Sequence, residues 1–281
     1  MSRLLRVMVP VFLLALCFKV DAQVMGSLGD VQMDEREFYT MTKQMGQFIH
    51  RFNYEEDPTG KRLYANDKDY RSPAKRKDAL PLLFDLDNPR TSGNLRNFFV
   101  EDLLKNRQYM EFLGGNWFSE VSATFKWKGK DVDISLIMAL EKDGLGSKWV
   151  ISNVFFSEFQ KYFPQGELAD REKHFLHPMS HELDFMNIYK IFNDPQIVEY
   201  YASTDYQPDY LTLFFYEIKQ GTLKFDHVES VKFHVFQIKN WYFEVSWFNR
   251  SGYNSGWLIS NLIYLKEEEK EALLKLYQPK K

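Results

Sequence analysis

The sequence contains a single cysteine among its 281 residues, and this scarcity limits how the fold can be stabilised. Cys17 lies in an apolar stretch near the N-terminus, after the bulky Leu16. A lipidated cysteine normally follows a small residue, so we interpret Cys17 as an ordinary apolar position. With no second cysteine the chain has no internal disulfide, and burial of apolar side chains has to stabilise the fold.

Signatures of catalysis and of phosphate binding are also missing from the sequence. No Gly-x-Ser-x-Gly, Gly-x-x-x-x-Gly-Lys-Ser/Thr or Gly-x-Gly-x-x-Gly pattern occurs, which argues against a serine-hydrolase elbow and a phosphate-binding loop. The formal net charge is −3, so the chain lacks the strongly basic balance that is typical of nucleic-acid binding. We predict no nucleic-acid partner and no cofactor.

Long hydrophobic runs are absent as well. The longest apolar stretch is near the N-terminus, follows Arg3 and Arg6, and is much shorter than the ~20 residues of a membrane-spanning helix. Residues 1–22 are typical of a secretory signal peptide, with Ala22 as the small residue before cleavage. We therefore expect an exported protein, periplasmic or extracellular, with no membrane span after signal cleavage.

Aromatic residues, in contrast, are abundant, at 17% of the sequence. Aromatic side chains favour strands, so this excess predicts a sheet-rich fold. Tryptophan and tyrosine rings also stack on sugars and other flat ligands, and candidates for that role are Trp117, Trp241, Trp247, Tyr200, Tyr201 and Tyr206. The alternative is that these rings fill the core.

An internal repeat is the most informative pattern in the chain. Residues 149–156 (WVISNVFF) recur as residues 257–264 (WLISNLIY), with four identical positions and four apolar exchanges. Two further pairs occur in the same order, FFVE at 98–101 with FFYE at 214–217, and FKWKG at 125–129 with FQIKN at 236–240. Trp149 and Trp257 occupy equivalent positions, which marks both as packing residues. The repeat predicts two similar halves.

Periodicity gives each half the same order of elements. Apolar residues at three- and four-residue spacing predict a helix over 35–52 and a second over 181–192, where Pro195 follows as a stop signal. The segments predicted as strands are 97–104, 108–113, 120–127, 132–141 and 149–156, then 211–218, 222–227, 231–238, 241–248 and 257–265. A helix is also predicted from Lys266 to Leu276.

A helix on a curved antiparallel sheet, whose last strand carries a tryptophan, resembles the cystatin-like or nuclear-transport-factor-2-like superfamily. The resemblance rests on the order of elements and implies an α+β protein of two tandem helix-plus-curved-sheet domains. Its predicted boundaries are 1–22 for the signal peptide, 23–156 for the first domain, 157–180 for a linker, 181–265 for the second domain and 266–281 for a charged helix and tail. The superfamily includes both enzymes and non-enzymatic binding modules.

Residues 55–94 form a long polar insertion that only the first half possesses. Within it, residues 71–77 (RSPAKRK) are locally basic. This run either docks an acidic partner or is a solvated loop.

Two groups of side chains are considered for chemistry. His174, His177 and His181 have a spacing that zinc accepts, although Pro178 prevents one helix from presenting all three, so we predict no metal site. Carboxylates in or beside predicted strands are Asp131, Asp133 and Glu244, any of which acts as a general base only if it faces inward. No catalytic residue is assigned from the sequence.

Together these patterns predict an exported, non-catalytic binding or protein-interaction module of the bacterial cell envelope. Its partner is then an unknown envelope protein or a small apolar or glycan ligand. The alternative is a small-molecule isomerase or hydrolase that uses a carboxylate or a histidine inside one of the sheets.

Overall fold

The computed structural model describes residues 44–144, 146–163, 174, 176, 188–252 and 254–278. All of them belong to one compact unit. The helices are α1 (Met45–Asn53), α2 (Pro73–Ala79), α3 (Asn94–Lys105), α4 (Ser157–Tyr162), α5 (Tyr189–Phe192), α6 (Tyr210–Gln220) and α7 (Glu267–Tyr277). The strands are β1 (Trp117–Trp127), β2 (Lys130–Asp143), β3 (Gly146–Phe155), β4 (Leu223–Val235), β5 (Trp241–Phe248) and β6 (Gly256–Tyr264), and short 3-10 turns occupy Leu80–Leu83, Pro89–Thr91 and Val198–Tyr201.

The six strands form one antiparallel sheet in the order β3-β2-β1-β4-β5-β6. The α+β class predicted from the sequence is confirmed. Two separate sheets, one for each half, are not present, because β1 pairs with β4 along its whole length, from Trp117 opposite Val235 to Trp127 opposite Leu223. The two halves therefore share a continuous sheet.

The internal repeat corresponds to a structural repeat of one helix followed by a three-stranded meander. The tryptophan-led copies are the third strands, β3 and β6, at the two edges of the sheet. The 125–129 copy ends β1 at a two-residue hairpin, in which Lys128 and Gly129 both have positive φ, as a type I′ turn requires. The equivalent copy at 236–240 follows the end of β4.

The remaining copies, 98–101 and 214–217, lie in α3 and α6, so the strand predictions over 97–104 and 211–218 are wrong. Helix α6 has recognisable ends: Asp209 caps it by accepting from the backbone N–H of Thr212, and Gly221 ends it in the left-handed region. The strand predicted at 108–113 is also absent, since the structure has a loop there. Segments 222–227 and 231–238 were predicted as two strands, but β4 is a single strand that ends at Val235.

Helices α3 and α6 each pack against strands of the other half. Phe99 in α3 lies under strands of the second half, with its ring 4.9 Å from that of Trp241 and 5.7 Å from that of Phe243. Phe214 in α6 packs instead on the first half, 5.6 Å from the ring of Phe125. The main core cluster likewise joins residues of both halves around Trp117. Each half thus uses the other to bury its helix.

Because side chains alternate between the faces of a strand, the sheet has two distinct surfaces. We call the first the α3/α6 face, because both helices pack on it. The opposite side, the α7 face, carries Phe118, Ile137, Phe236 and Tyr242, which pack against Leu273, Leu274 and Tyr277 of α7. The helix predicted over 266–276 is confirmed as α7.

The polar insertion at 55–94 contributes to the core. Leu80, Leu83 and Phe84 are buried in the main cluster beside α1. The basic run is not solvated throughout: Arg76 is 1% exposed and donates to the backbone oxygens of Phe52 and Gln108. This segment is a folded part of the protein.

Several predictions lie wholly or partly outside the described residues. They include the signal peptide with Cys17, helix residues 35–43 and 181–187, and most of the 157–180 linker. Helix α1 confirms the described end of the first predicted helix, and α5 lies in the second. In the part of the chain that the structure describes, no helix has the length and apolar character needed to cross a membrane.

Candidate functional site

A chain of polar side chains is buried on the α7 face of the sheet, around His234. This imidazole is 1% exposed, with its Nε2 2.8 Å from Glu120 Oε2 and its Nδ1 2.7 Å from Tyr242 Oη. The Tyr242 hydroxyl in turn donates to Glu244 Oε1 over 2.8 Å. We call these four residues the His234 chain. It links β1, β4 and β5 within one layer.

Strand geometry explains why these residues meet. His234 and Glu244 are directly opposite each other on β4 and β5, and Tyr242 lies two residues from Glu244 on the same face. Lys232, two residues before His234, pairs its Nζ with Glu244 Oε2 at 3.1 Å. Asn261 on β6 donates to the other oxygen of that carboxylate over 3.2 Å. The polar cluster therefore crosses four strands.

The two carboxylates of the cluster favour their ionised forms. The hydrogen bond from His234 is the main reason why the pKa of Glu120 lies below its ordinary value. Burial acts to raise the pKa of Glu244, but hydrogen bonds from Tyr242 and Asn261, together with the charge of Lys232, outweigh it and lower that pKa. Burial and the neighbouring Glu244 charge raise the pKa of Tyr242, so its phenol keeps the proton.

Three hydrogen bonds connect the four residues in one continuous row. The Tyr242 hydroxyl has a single proton, which it donates to Glu244, so its oxygen is left to accept from Nδ1 of His234. The other ring nitrogen, Nε2, faces the carboxylate of Glu120. Both nitrogens of the buried imidazole therefore have a polar partner between the sheet and α7.

Helix α7 closes this site from above. The Tyr277 ring lies 4.7 Å from the His234 ring, and Asn153 on β3 donates to the backbone oxygen of Tyr277 over 2.9 Å. Solvent reaches only the two end members of the His234 chain, since the Glu120 side chain is 25% exposed and that of Glu244 is 16% exposed. Of these four residues, the imidazole and the phenol are enclosed, and only the two glutamates meet solvent.

A second feature lies where β4 and β5 diverge. The two strands pair only over Lys232–Val235, opposite Phe243–Ser246. Beyond that point they enclose a cleft of about 390 Å³, which we call the β4–β5 cleft. Its lining residues are Val228, Glu229, Ser230, Val231, Lys232, Ser246, Trp247 and Trp257. The cleft is next to the His234 chain, since Lys232 belongs to both.

The two tryptophans give the cleft an aromatic wall. Trp247 and Trp257 are opposite each other on β5 and β6, with their ring centroids 5.6 Å apart in an edge-to-face arrangement. Trp257 is anchored by the buried Phe233 at 4.9 Å, whereas Trp247 remains 40% exposed. An exposed indole held by a fixed neighbour is a suitable contact for an apolar or flat ligand.

The aromatic candidates from the sequence separate into core and surface residues. Trp117 and Trp241 are buried and donate to the backbone oxygen of Phe112 and to Asp102, so both are packing residues. Trp247 is the exposed one. Trp149, interpreted as a packing residue, packs on Trp117 at 5.6 Å but leaves 42% of its surface exposed.

Of the candidate carboxylates, only Glu244 faces inward. Asp131 pairs with Lys126 at the surface, and Asp133 is exposed and accepts from Thr124. The histidine cluster is not tested, because His177 and His181 lie outside the described residues. His174 contacts the rings of Tyr200 and Tyr201, and the described residues contain no group of three or more metal-ligating side chains.

Sequence reasoning missed Glu120, His234 and Tyr242. The available signal was the alternation of side chains along two neighbouring strands. Residues two apart lie on the same face, so Lys232 and His234 share a face of β4, and Tyr242 and Glu244 share a face of β5. The pairing of β4 with β1, which adds Glu120, has no local signature. Comparison of the chain with protein-family models, with curated proteins and with solved structures finds no significant match.

Proposed function

We propose that this protein is a non-catalytic binding module, exported to the bacterial cell envelope, and that its ligand binds in the β4–β5 cleft. The observation that carries the proposal is the exposed Trp247 beside a stretch of β4 whose edge facing β5 has no partner strand among the described residues. Export rests on the N-terminal sequence alone. The tandem cystatin-like or nuclear-transport-factor-2-like resemblance stays a prediction.

The lining of the cleft supports binding rather than catalysis. Apolar contact area comes from the two tryptophans and two valines of the lining, and its polar groups are those of Glu229, Ser230, Lys232 and Ser246. A pocket with mostly apolar walls and a few polar groups is typical of a ligand site. The imidazole of the neighbouring His234 chain is sealed from the cleft, so it meets no ligand there.

The test is a titration with three probes that differ in chemistry: indole, a glucose tetrasaccharide and a blocked peptide of eight residues. Tryptophan fluorescence and amide chemical shifts report binding. We expect one probe to shift the cleft amides in the wild type and in Trp149→Ala, and to lose this effect in Trp247→Ala. Trp149 is the matched control because its exposed fraction is nearly the same, 42% against 40%. If no probe gives a signal that depends on Trp247, the proposal is wrong.

A second candidate is an isomerase or hydrolase, and the His234 chain favours it. A partly exposed glutamate that is hydrogen-bonded to a buried imidazole resembles a general base with its orienting partner. The test measures turnover of ester, glycoside and ketone substrates. If the protein is an enzyme of this kind, at least one substrate is converted by the wild type and by Asp131→Asn, and is not converted by Glu120→Gln. Retention of turnover in Glu120→Gln would exclude this mechanism.

A further inference from the structure

The open edge of β4 points to the class of partner, an inference that rests on the proposed function of the cleft. Strand β4 begins at Leu223, but its pairing with β5 begins only at Lys232. Over Leu223–Val231 the edge that faces β5 therefore has no strand partner within the described residues. All seven side chains from Lys224 to Ser230 are exposed. An unpaired strand edge is complementary to an extended backbone.

The facing edge of β5 is open in the same place. Trp247 and Phe248 lie beyond the last residue that pairs with β4, although both still pair with β6. The cleft is thus a wedge between two strand edges. A polypeptide strand that enters it meets backbone hydrogen-bonding groups of β4 on one side and the tryptophan wall of β5 and β6 on the other.

Each face of the wedge selects a different kind of side chain. On the α3/α6 face, Val228 and Val231 lie opposite Ala123 and Val121 of β1 and present apolar surface beside the tryptophans. On the α7 face, the Glu229 carboxylate lies 3.3 Å from the hydroxyl of Thr124, which is on the same side of β1 as Glu120. An inserted strand, whose side chains alternate, would meet apolar surface on one side and polar surface on the other.

Carboxylates outnumber cations on the polar side. Asp226 and Glu229 both contact His227, and Asp133 lies beside Glu229 through the shared hydroxyl of Thr124. The exposed cations near them on β4 are His227 and Lys224. Lys126 and Lys232 are already paired, with Asp131 and Glu244. Basic side chains on the partner match this charge.

We infer that the β4–β5 cleft binds an extended polypeptide strand by strand addition to β4, with apolar side chains against Trp247 and basic side chains toward Glu229. Such a strand extends the sheet through backbone hydrogen bonds, and the alternation of its side chains sets its specificity. The opposite interpretation is that the edge is protected: β4 bulges twice, at Asp226 and Glu229, and charges on an edge discourage pairing.

The experiment uses the whole protein and a blocked eight-residue peptide in which lysine and valine alternate. Three matched peptides serve as controls. One has glutamate in place of lysine, one is methylated on the backbone nitrogen of every lysine, and one is methylated on the backbone nitrogen of every valine. Because methylation removes backbone donors from one edge at a time, we expect at least one methylated peptide to bind about tenfold or more weakly. The glutamate peptide should also bind more weakly than the lysine peptide.

Protein variants place the peptide in the cleft. Trp247→Ala should weaken binding about tenfold or more, since an aromatic side chain that the peptide covers dominates such contacts. Glu229→Lys should weaken it about two- to fivefold, as expected for an exposed charge pair. Trp149→Ala should bind like the wild type, and circular dichroism checks that each variant is folded.

The outcomes separate this inference from the proposed function. Equal binding of the parent and both methylated peptides overturns strand addition, because the backbone then plays no part. If the lysine–valine peptide fails while indole or the tetrasaccharide binds through Trp247, the inference is wrong and the cleft remains a binding site. If no probe binds in a way that depends on Trp247, both the strand-addition inference and the proposed function of the cleft are wrong.

Discussion

At the residue scale, the most informative side chain is His234, because both nitrogens of this buried imidazole have a polar partner. Nε2 lies 2.8 Å from Glu120 and Nδ1 lies 2.7 Å from Tyr242, which in turn donates to Glu244. A buried polar group that loses its partner costs about 1–3 kcal/mol, so the carboxylate of Glu120 is a structural requirement. Its partial exposure makes it the point at which pH acts on the chain.

We expect Glu120→Gln to destabilise the protein by about 1–3 kcal/mol at neutral pH, because a buried charged hydrogen bond loses its acceptor charge. Since the pKa of Glu120 is lowered on folding, its contribution is complete above the ordinary value of 4.5 and is lost as pH falls through the lower folded pKa. The variant should therefore lose less stability on acidification than the wild type does. Urea unfolding between pH 3 and 7 measures this.

The matched control is Asp131→Asn, which removes a surface partner of Lys126 and should leave stability nearly unchanged. The same pH dependence of unfolding in the wild type and in Glu120→Gln would contradict this role of the Glu120 carboxylate.

At the element scale, α7 determines how far the His234 chain is sealed. It begins after Lys266 with acidic residues in its first turn, which suit the positive end of the helix dipole. Lys270 is buried at 6% exposure and donates to the backbone oxygen of Ile238, so the start of the helix is tied to the β4–β5 loop. Tyr277 packs the other end on the sheet through His234 and Phe118.

We expect Tyr277→Ala to release the C-terminal turn of α7 and cost about 1–3 kcal/mol, since the ring is partly buried on the aromatic face of the sheet. Hydrogen exchange should accelerate in the last turn of α7 and at the amides of β1 and β4 beneath it. Leu276→Ala is the matched control, because that side chain is 70% exposed. Equal protection in the two variants would show that Tyr277 does not hold the helix.

The elements also show what the sequence could and could not predict. Strands with a clear boundary, such as β5 and β6, were found almost to the residue, because alternation and turn residues are local signals. Helices α3 and α6 were misassigned as strands, because a short aromatic run is equally apolar in either conformation. Gly93 before α3 and the Asp209 cap and Gly221 end of α6 were the helix signals present, and the aromatic content outweighed them.

At the scale of the whole molecule, the sequence repeat matched equivalent segments, such as those of β3 and β6, but it did not predict the helix of each unit or how the two units assemble. The pairing of β1 with β4 depends on contacts between residues that are far apart in the sequence, from Trp127 with Leu223 to Trp117 with Val235, and no single-sequence pattern exists for such contacts. The same limit applies to the candidate site, since His234 meets Glu120 across 114 residues. A sequence repeat predicts that two units have similar structures. It does not determine whether they form two separate domains or share one sheet and one core.

The exchanged packing of α3 and α6 predicts that the two halves unfold together. Phe214→Ala removes a ring that is 4% exposed and packed on Phe125, at an expected cost of about 3–5 kcal/mol. Because the sheet and the main core are common to both halves, probes in β2 and in β5 should report one transition with the same lowered midpoint. Phe215→Ala, at an exposed neighbouring position, should leave that midpoint almost unchanged. Native-state hydrogen exchange in urea measures both halves at once, and separate transitions, with β5 unaffected by Phe214→Ala, would instead indicate two independent domains.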